Sequence, residues 1–104
     1  MTKLSPCIFL DRDGVINRER GEYTFRISDF EIIAGVSEAL LQLKAAGYLL
    51  VLITNQAGIA KGLYTHADVK ACHEYMQEHC LGAFYGIYYS PYHPVQTVSL
   101  GRKP

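Results

Sequence analysis

The sequence predicts an α/β fold built on an open parallel sheet. Three observations predict it. Residues 7–10, 48–53 and 84–89 are short, continuous apolar runs, the pattern of strands buried on both faces. Two stretches between them carry apolar residues at helical spacing. The first two runs also end abruptly in polar side chains, Asp11 and Asp13 after one and Thr54, Asn55 and Gln56 after the other. Strand, helix, strand, helix, strand with right-handed crossovers puts those ends on one edge of the sheet. Open α/β sheets bind their ligands beyond that edge.

Each element follows from local chemistry. After the first apolar run, Asp13-Gly14 is a turn signal. Residues 17–29 are polar, with Arg18, Glu19, Arg20, Glu22 and Arg26, and are expected to form a surface loop long enough to be functional. Val36, Ala39, Leu40 and Leu43 line one side of a helix, and Gly47 suits the position just past its end. Beyond the second run, residues 57–62 form a glycine-punctuated loop with one cation, Lys61. Thr65 and Asp68 then resemble a capping box, with Asp in place of the usual Glu. That box opens a helix with Val69, Cys72, Met76 and Cys80 on one stripe. Its two cysteines are expected in the core, since free Cys packs as a small hydrophobe. His73 and His79 lie near the stripe and are expected at the helix surface or edge rather than on a metal. Pro91 and Pro94 prevent the third strand from continuing.

Composition narrows the function. At 104 residues the chain is one domain at most, and its 49% hydrophobic content allows a core. Ten basic residues balance ten acidic ones, so no overall field draws nucleic acid or an anionic membrane. No apolar stretch approaches the roughly 20 residues of a membrane span. Residues 1–6 lead into only a handful of apolar positions, a poor match to a signal peptide. Cys7, Cys72 and Cys80 are odd in number and lack Cys-x-x-Cys spacing, which argues against a disulfide framework or a zinc ribbon. Reduced thiols in a cytoplasmic protein are the expectation.

The polar strand ends carry the chemistry. Two carboxylates at i, i+2 need a partner, because desolvated charge is costly. A hard cation such as Mg2+ is the expected partner of Asp11 and Asp13. Asp11 suits attack on phosphorus, which divides hydrolysis into two steps through an aspartyl-phosphate. Asp13 suits protonation of the leaving oxygen and activation of water. Thr54 offers a hydroxyl, Asn55 a backbone N–H and Lys103 a fixed positive charge to the phosphoryl oxygens. Blander readings stand beside these. The acids belong to a polar turn, Thr54 caps the next turn, and Arg102 and Lys103 form a solvated tail.

Residues 9–17, Phe-Leu-Asp-Arg-Asp-Gly-Val-Ile-Asn, resemble the first motif of the haloacid dehalogenase superfamily of phosphatases. Residues 53–60, Ile-Thr-Asn-Gln-Ala-Gly-Ile-Ala, resemble the second motif of one subgroup, and residues 101–104, Gly-Arg-Lys-Pro, its lysine motif. The most similar group is that of the D-glycero-D-manno-heptose 1,7-bisphosphate 7-phosphatases and histidinol-phosphatases, which residues 86–94 also fit. The resemblance implies a Rossmann-like three-layer parallel sheet. It implies Asp11 as nucleophile and Mg2+ ligand, and Asp13 as acid/base and ligand. Thr54 and Lys103 would stabilise the transferring phosphoryl group. Arg12, Glu19, Arg20, Gly21, Glu22, Tyr23, Asn55, Gln56, Ala57 and Arg102 would bind a small phosphorylated metabolite. Heptose bisphosphate is the first choice and histidinol phosphate the alternative.

Two departures from the group shape the expectations. Its zinc-stabilised loop carries Cys-x-His and Cys-x-Cys pairs. Here Ser90 and Tyr92 stand at the first pair and Leu100 and Gly101 precede Arg102, so no structural zinc is expected and His93 reads as a loop residue. The group also continues past the lysine motif with a helix, further strands and an acidic metal motif. The expectation is therefore the first portion of one such domain, truncated after about the third strand, with the first strand left as an exposed edge. That edge admits self-association, and an inactive remnant or assembly module is the competing reading. A receiver-like fold is less consistent with both motifs together.

Overall fold

The computed structural model describes residues 4–92. Strand β1 (Cys7–Leu10) is followed by a 3-10 turn (Ile27–Asp29), helix α1 (Val36–Ala45), strand β2 (Leu49–Asn55), helix α2 (His66–His79) and strand β3 (Gly86–Ser90). The strands form one parallel sheet in the order β1-β2-β3. Leu10 pairs with Leu52 and Asn55 with Ser90, so the carboxyl ends of the strands lie on a common edge. The expected α/β parallel architecture is present.

Alternation across the sheet decides where the core sits. Ile8, Leu10, Leu50, Leu52 and Ile87 face one side, where they meet Leu40 of α1 and Cys72 and Met76 of α2. Cys80, just past α2, joins that cluster, so both helical cysteines are core residues as expected. On the opposite face Phe9, Ile53 and Tyr88 are 65%, 50% and 61% exposed. Among the described residues both helices pack into one cluster on one face. The expectation that the first strand is buried on both faces therefore does not hold among the described residues: there β1 has a single neighbour, β2, and alternates between exposed and half-buried positions.

The helix ends follow the sequence closely. The α2 capping box forms, with Asp68 N–H donating to Thr65 Oγ1 and Thr65 N–H donating to Asp68 Oδ2. At the end of α1, Gly47 takes φ +98°, its N–H bonding Lys44 O while Tyr48 N–H bonds Leu43 O. Both bonds together make a Schellman motif, which favours glycine at that position. Boundaries differ at two strands. β2 runs on through Thr54 and Asn55 because Tyr89 and Ser90 of β3 pair with them, and β3 starts at Gly86 rather than residue 84. Phe84 precedes it as a core residue.

Candidate active site

The loop after β1 is a tight backbone knot. The N–H groups of Val15, Ile16 and Asn17 all point at Arg12 O (3.1, 2.8 and 3.3 Å), and Gly14 N–H bonds Asn17 O at 2.8 Å. Gly14 adopts φ +86°, where an L side chain would be strained. This knot presents Asp13 at the sheet edge. Its Oδ1 accepts from Arg12 Nε (3.1 Å), Arg12 Nη2 (2.9 Å) and Asn17 Nδ2 (3.0 Å). Its Oδ2 has no bonding partner among the described residues, so Oδ2 is the oxygen free to handle a proton. Asp11 is exposed, and its Oδ1 accepts the Arg12 N–H at 2.9 Å. Among the described residues Asp11 forms no ion pair.

The end of β2 is braced from below. Thr54 is buried and its Oγ1 accepts from Gln56 Nε2 at 3.0 Å. Gln56 Oε1 in turn accepts from Tyr64 OH at 2.7 Å. Burial pushes the Tyr64 phenol above its ordinary pKa, which keeps it a donor. Tyr64 stacks on Phe25 at 5.0 Å between centroids and meets the edge of Tyr23 at 5.7 Å. A Cβ on Gly58 would fall 2.1 Å from the Tyr64 ring, so the glycine here makes room for an aromatic wedge. The polar segment after Asn17 is thus more than a surface loop: Asn17 and Thr24 are buried, and a 3-10 turn leads into the core residue Phe30.

A cavity of about 470 Å³ opens between these two loops, lined by Asp13, Glu19, Gly21, Glu22, Tyr23 and Asn55. Six of the residues expected at the site therefore share one space. Lys61 stands at its margin, donating to Tyr23 OH at 2.9 Å. Three other residues expected to bind substrate are bonded within the protein. Arg12 is fully buried, gripping Asp13 and donating to Thr24 O at 2.8 Å, because a knot of N–H groups around its own carbonyl turns its side chain inward. Gln56 is buried too; its side chain bridges Thr54 and Tyr64 and its backbone N–H bonds Ser90 O at 2.7 Å, so its amide oxygen and one amide N–H are engaged within the protein. Arg20 folds the loop, with Nη1 on Tyr23 O and its charge beside Glu22 and Asp29 at 3.7 and 3.8 Å. Asp11, Thr54 and Ala57 do not line the cavity. His93, Arg102 and Lys103 lie outside the described residues.

No protein-family model matches the chain. It is 45% identical over 106 aligned positions to the D-glycero-beta-D-manno-heptose-1,7-bisphosphate 7-phosphatase of Photorhabdus laumondii, an alignment covering 99% of this chain and 56% of that protein. Among solved structures it is similar to D,D-heptose 1,7-bisphosphate phosphatase from B. bronchiseptica complexed with magnesium and phosphate, with TM-score 0.80 and 30% identity over 86% of this chain and 51% of that one. A had-like phosphatase from Mesorhizobium loti matches with TM-score 0.75 and 27% identity over 86% and 44%. The chain is thus similar, over nearly its whole length, to part of the haloacid dehalogenase-like phosphatases. It spans about half the length of the curated relatives it matches.

One neighbour of Arg12 departs from the sequence expectation. His73 is buried, not at the helix surface, and its Nε2 lies 3.3 Å from Arg12 Nη1. Desolvation, with the Arg12 charge second, lowers its pKa to about 4. A signal was present in the sequence: residue 73 follows Val69 by four positions, which places it on the buried stripe. Among the described residues no group of three His, Cys, Asp or Glu side chains is placed to hold a metal ion. Two adjacent carboxylates, one of them unpaired, remain a donor set of the kind that holds Mg2+ together with water and a ligand's phosphate. No helix of the described residues is long and apolar enough to cross a membrane.

Proposed function

We propose that this chain is the acid-bearing portion of a single-domain Mg2+-dependent phosphomonoesterase acting on D,D-heptose 1,7-bisphosphate at its 7-phosphate. One observation carries the reading: Asp13, just past the end of β1, lines a cavity shared with Glu19, Gly21, Glu22, Tyr23 and Asn55. Relatives named for that substrate, and a neighbour that holds magnesium and phosphate, support it. Glu19 and Glu22 in the cavity wall suit the hydroxyl groups of a sugar, for which carboxylates are strong acceptors.

In this reading Asp11 attacks phosphorus through a carboxylate oxygen, and the P–O bond to the sugar breaks as the acyl-phosphate bond forms. Asp13 Oδ2 gives its proton to the departing sugar oxygen. It then takes a proton from the water that cleaves the acyl phosphate, and inorganic phosphate leaves with Asp11 restored. Asp11 and Asp13 would hold Mg2+. When bound, the ion screens the carboxylate from the incoming phosphate and polarises the phosphoryl oxygens. Thr54, Lys103 and Arg102 are assigned to phosphoryl stabilisation and substrate recognition on the motif resemblance, and Ala57 to the pocket wall. A cytoplasmic setting is part of the same reading, supported by two unpaired cysteines in the core.

The test is phosphate release from heptose 1,7-bisphosphate with Mg2+, beside histidinol phosphate as competitor substrate. Turnover should be abolished by Asp11→Asn and by chelation of the metal. Equal or faster release from histidinol phosphate would replace the substrate. A second reading, an assembly module that self-associates through β1, is favoured by the uncovered Phe9, Ile53 and Tyr88. Absence of turnover together with dimerisation would select it.

A further inference from the structure

We propose that His73 is a positioning residue for the acid/base: by accepting from Arg12 Nη1 it fixes the guanidinium whose other edge clamps Asp13 Oδ1, so that Oδ2 alone faces the cavity. The proposal rests on the reading of Asp13 as proton carrier. It is carried by a buried relay that runs from α2 to the strand end. Arg12 Nε and Nη2 both reach Asp13 Oδ1, and Nη2 also reaches Thr24 O at 2.8 Å. Nη1 is left with one acceptor among the described residues, the His73 ring at 3.3 Å.

A guanidinium has five donors in a rigid fork and cannot lose its proton. Buried, it needs an acceptor on each edge, since an unmatched donor keeps its full desolvation cost. The Phe30 ring covers the Arg12 carbon at 5.4 Å and closes off solvent as a substitute. Without His73 the fork would swing toward another acceptor, and two of the three bonds on Asp13 Oδ1 would go with it. The ring is itself held. It meets Tyr89 of β3 edge-on at 5.9 Å, and His66 Nδ1 lies 2.7 Å from the Tyr89 hydroxyl. A neutral ring with its proton on Nδ1 is required, because a protonated Nε2 would oppose an Arg N–H with another donor. Burial and the neighbouring charge both keep the ring neutral.

The experiment compares His73→Leu, which fills the space without an acceptor, with His73→Gln, whose amide oxygen reaches the Nε2 position. Should the leucine variant not fold, His73→Asn withdraws the acceptor while staying polar. Two quantities are read on the full chain: kcat and KM for phosphate release from heptose 1,7-bisphosphate, and solvent protection of the Arg12 Nε–H by NMR. The expectation is a kcat loss of about tenfold or more in the leucine variant, the scale of a misplaced catalytic group, with KM changed less. Arg12 Nε–H protection should disappear in that variant, and glutamine should restore both quantities. Wild-type kcat in a folded leucine variant overturns the proposal, as does unchanged Arg12 protection. If no variant releases phosphate, wild type included, the phosphatase reading fails by itself. The NMR arm then still decides whether His73 holds the guanidinium.

Discussion

Arg12 shows how one buried charge can organise the residues around it. Its guanidinium is desolvated, so the fold supplies a carboxylate, a carbonyl, an imidazole and an aromatic face around it. Arg12→Lys keeps the charge but loses the fork that grips Asp13 from two atoms. We expect that variant to lose kcat by about a hundredfold while KM changes little, a split visible in steady-state kinetics. His73 gives a pH signature. Its pKa is about 4 in the fold against an ordinary 6.5, so between those values the unfolded chain binds a proton that the native state does not. Its contribution is therefore present above about pH 6.5 and lost as pH falls, by up to about 3 kcal/mol near pH 4. Urea midpoints should fall more steeply with acidification for wild type than for His73→Gln, which has no such proton to take up.

At the scale of elements, two loops are made rigid by one aromatic wedge. Tyr64 is clasped by Phe25 and Tyr23 on one side and hydrogen-bonded to Gln56 on the other. Gly58 is the contact that allows it, so Gly58→Ala must push the ring away. We expect a loss of roughly 1–3 kcal/mol from overpacking, read as a shift in the denaturation midpoint. The same variant should lower turnover, since Gln56 would no longer steady the Thr54 hydroxyl. The α2 cap is a separable term. Thr65→Ala removes the acceptor for Asp68 N–H and should cost about 1 kcal/mol without altering KM.

At the scale of the whole molecule, the notable asymmetry among the described residues is a sheet with helices on one face. Phe9, Ile53 and Tyr88 form an apolar strip on the other, beside a β1 edge that among the described residues has a strand on one side only. Exposed apolar edges promote pairing with another chain. Light scattering on this chain should report association that weakens when Phe9→Lys and Ile53→Thr are combined, with the core cluster untouched because both residues face away from it.

Much of this was legible in the residues themselves. Apolar runs closed by Asp11, Asp13 and Asn55 placed a parallel sheet and its ligand-binding edge, because alternation, caps and turn residues act locally. The Thr65–Asp68 box and Gly47 were readable for the same reason. The directions of Arg12, Gln56 and His73 were not. Arg12 is charged and its neighbours in sequence are acids, yet it turns inward to meet a ring 61 residues away. Gln56 sits in a motif but spends both ends of its amide on Thr54 and Tyr64. The sequence by itself determined which groups arrive at the strand ends. Only the tertiary structure decided which face the ligand and which hold their neighbours in place, since the acceptors that satisfy a buried donor are brought to it by the packing of distant elements.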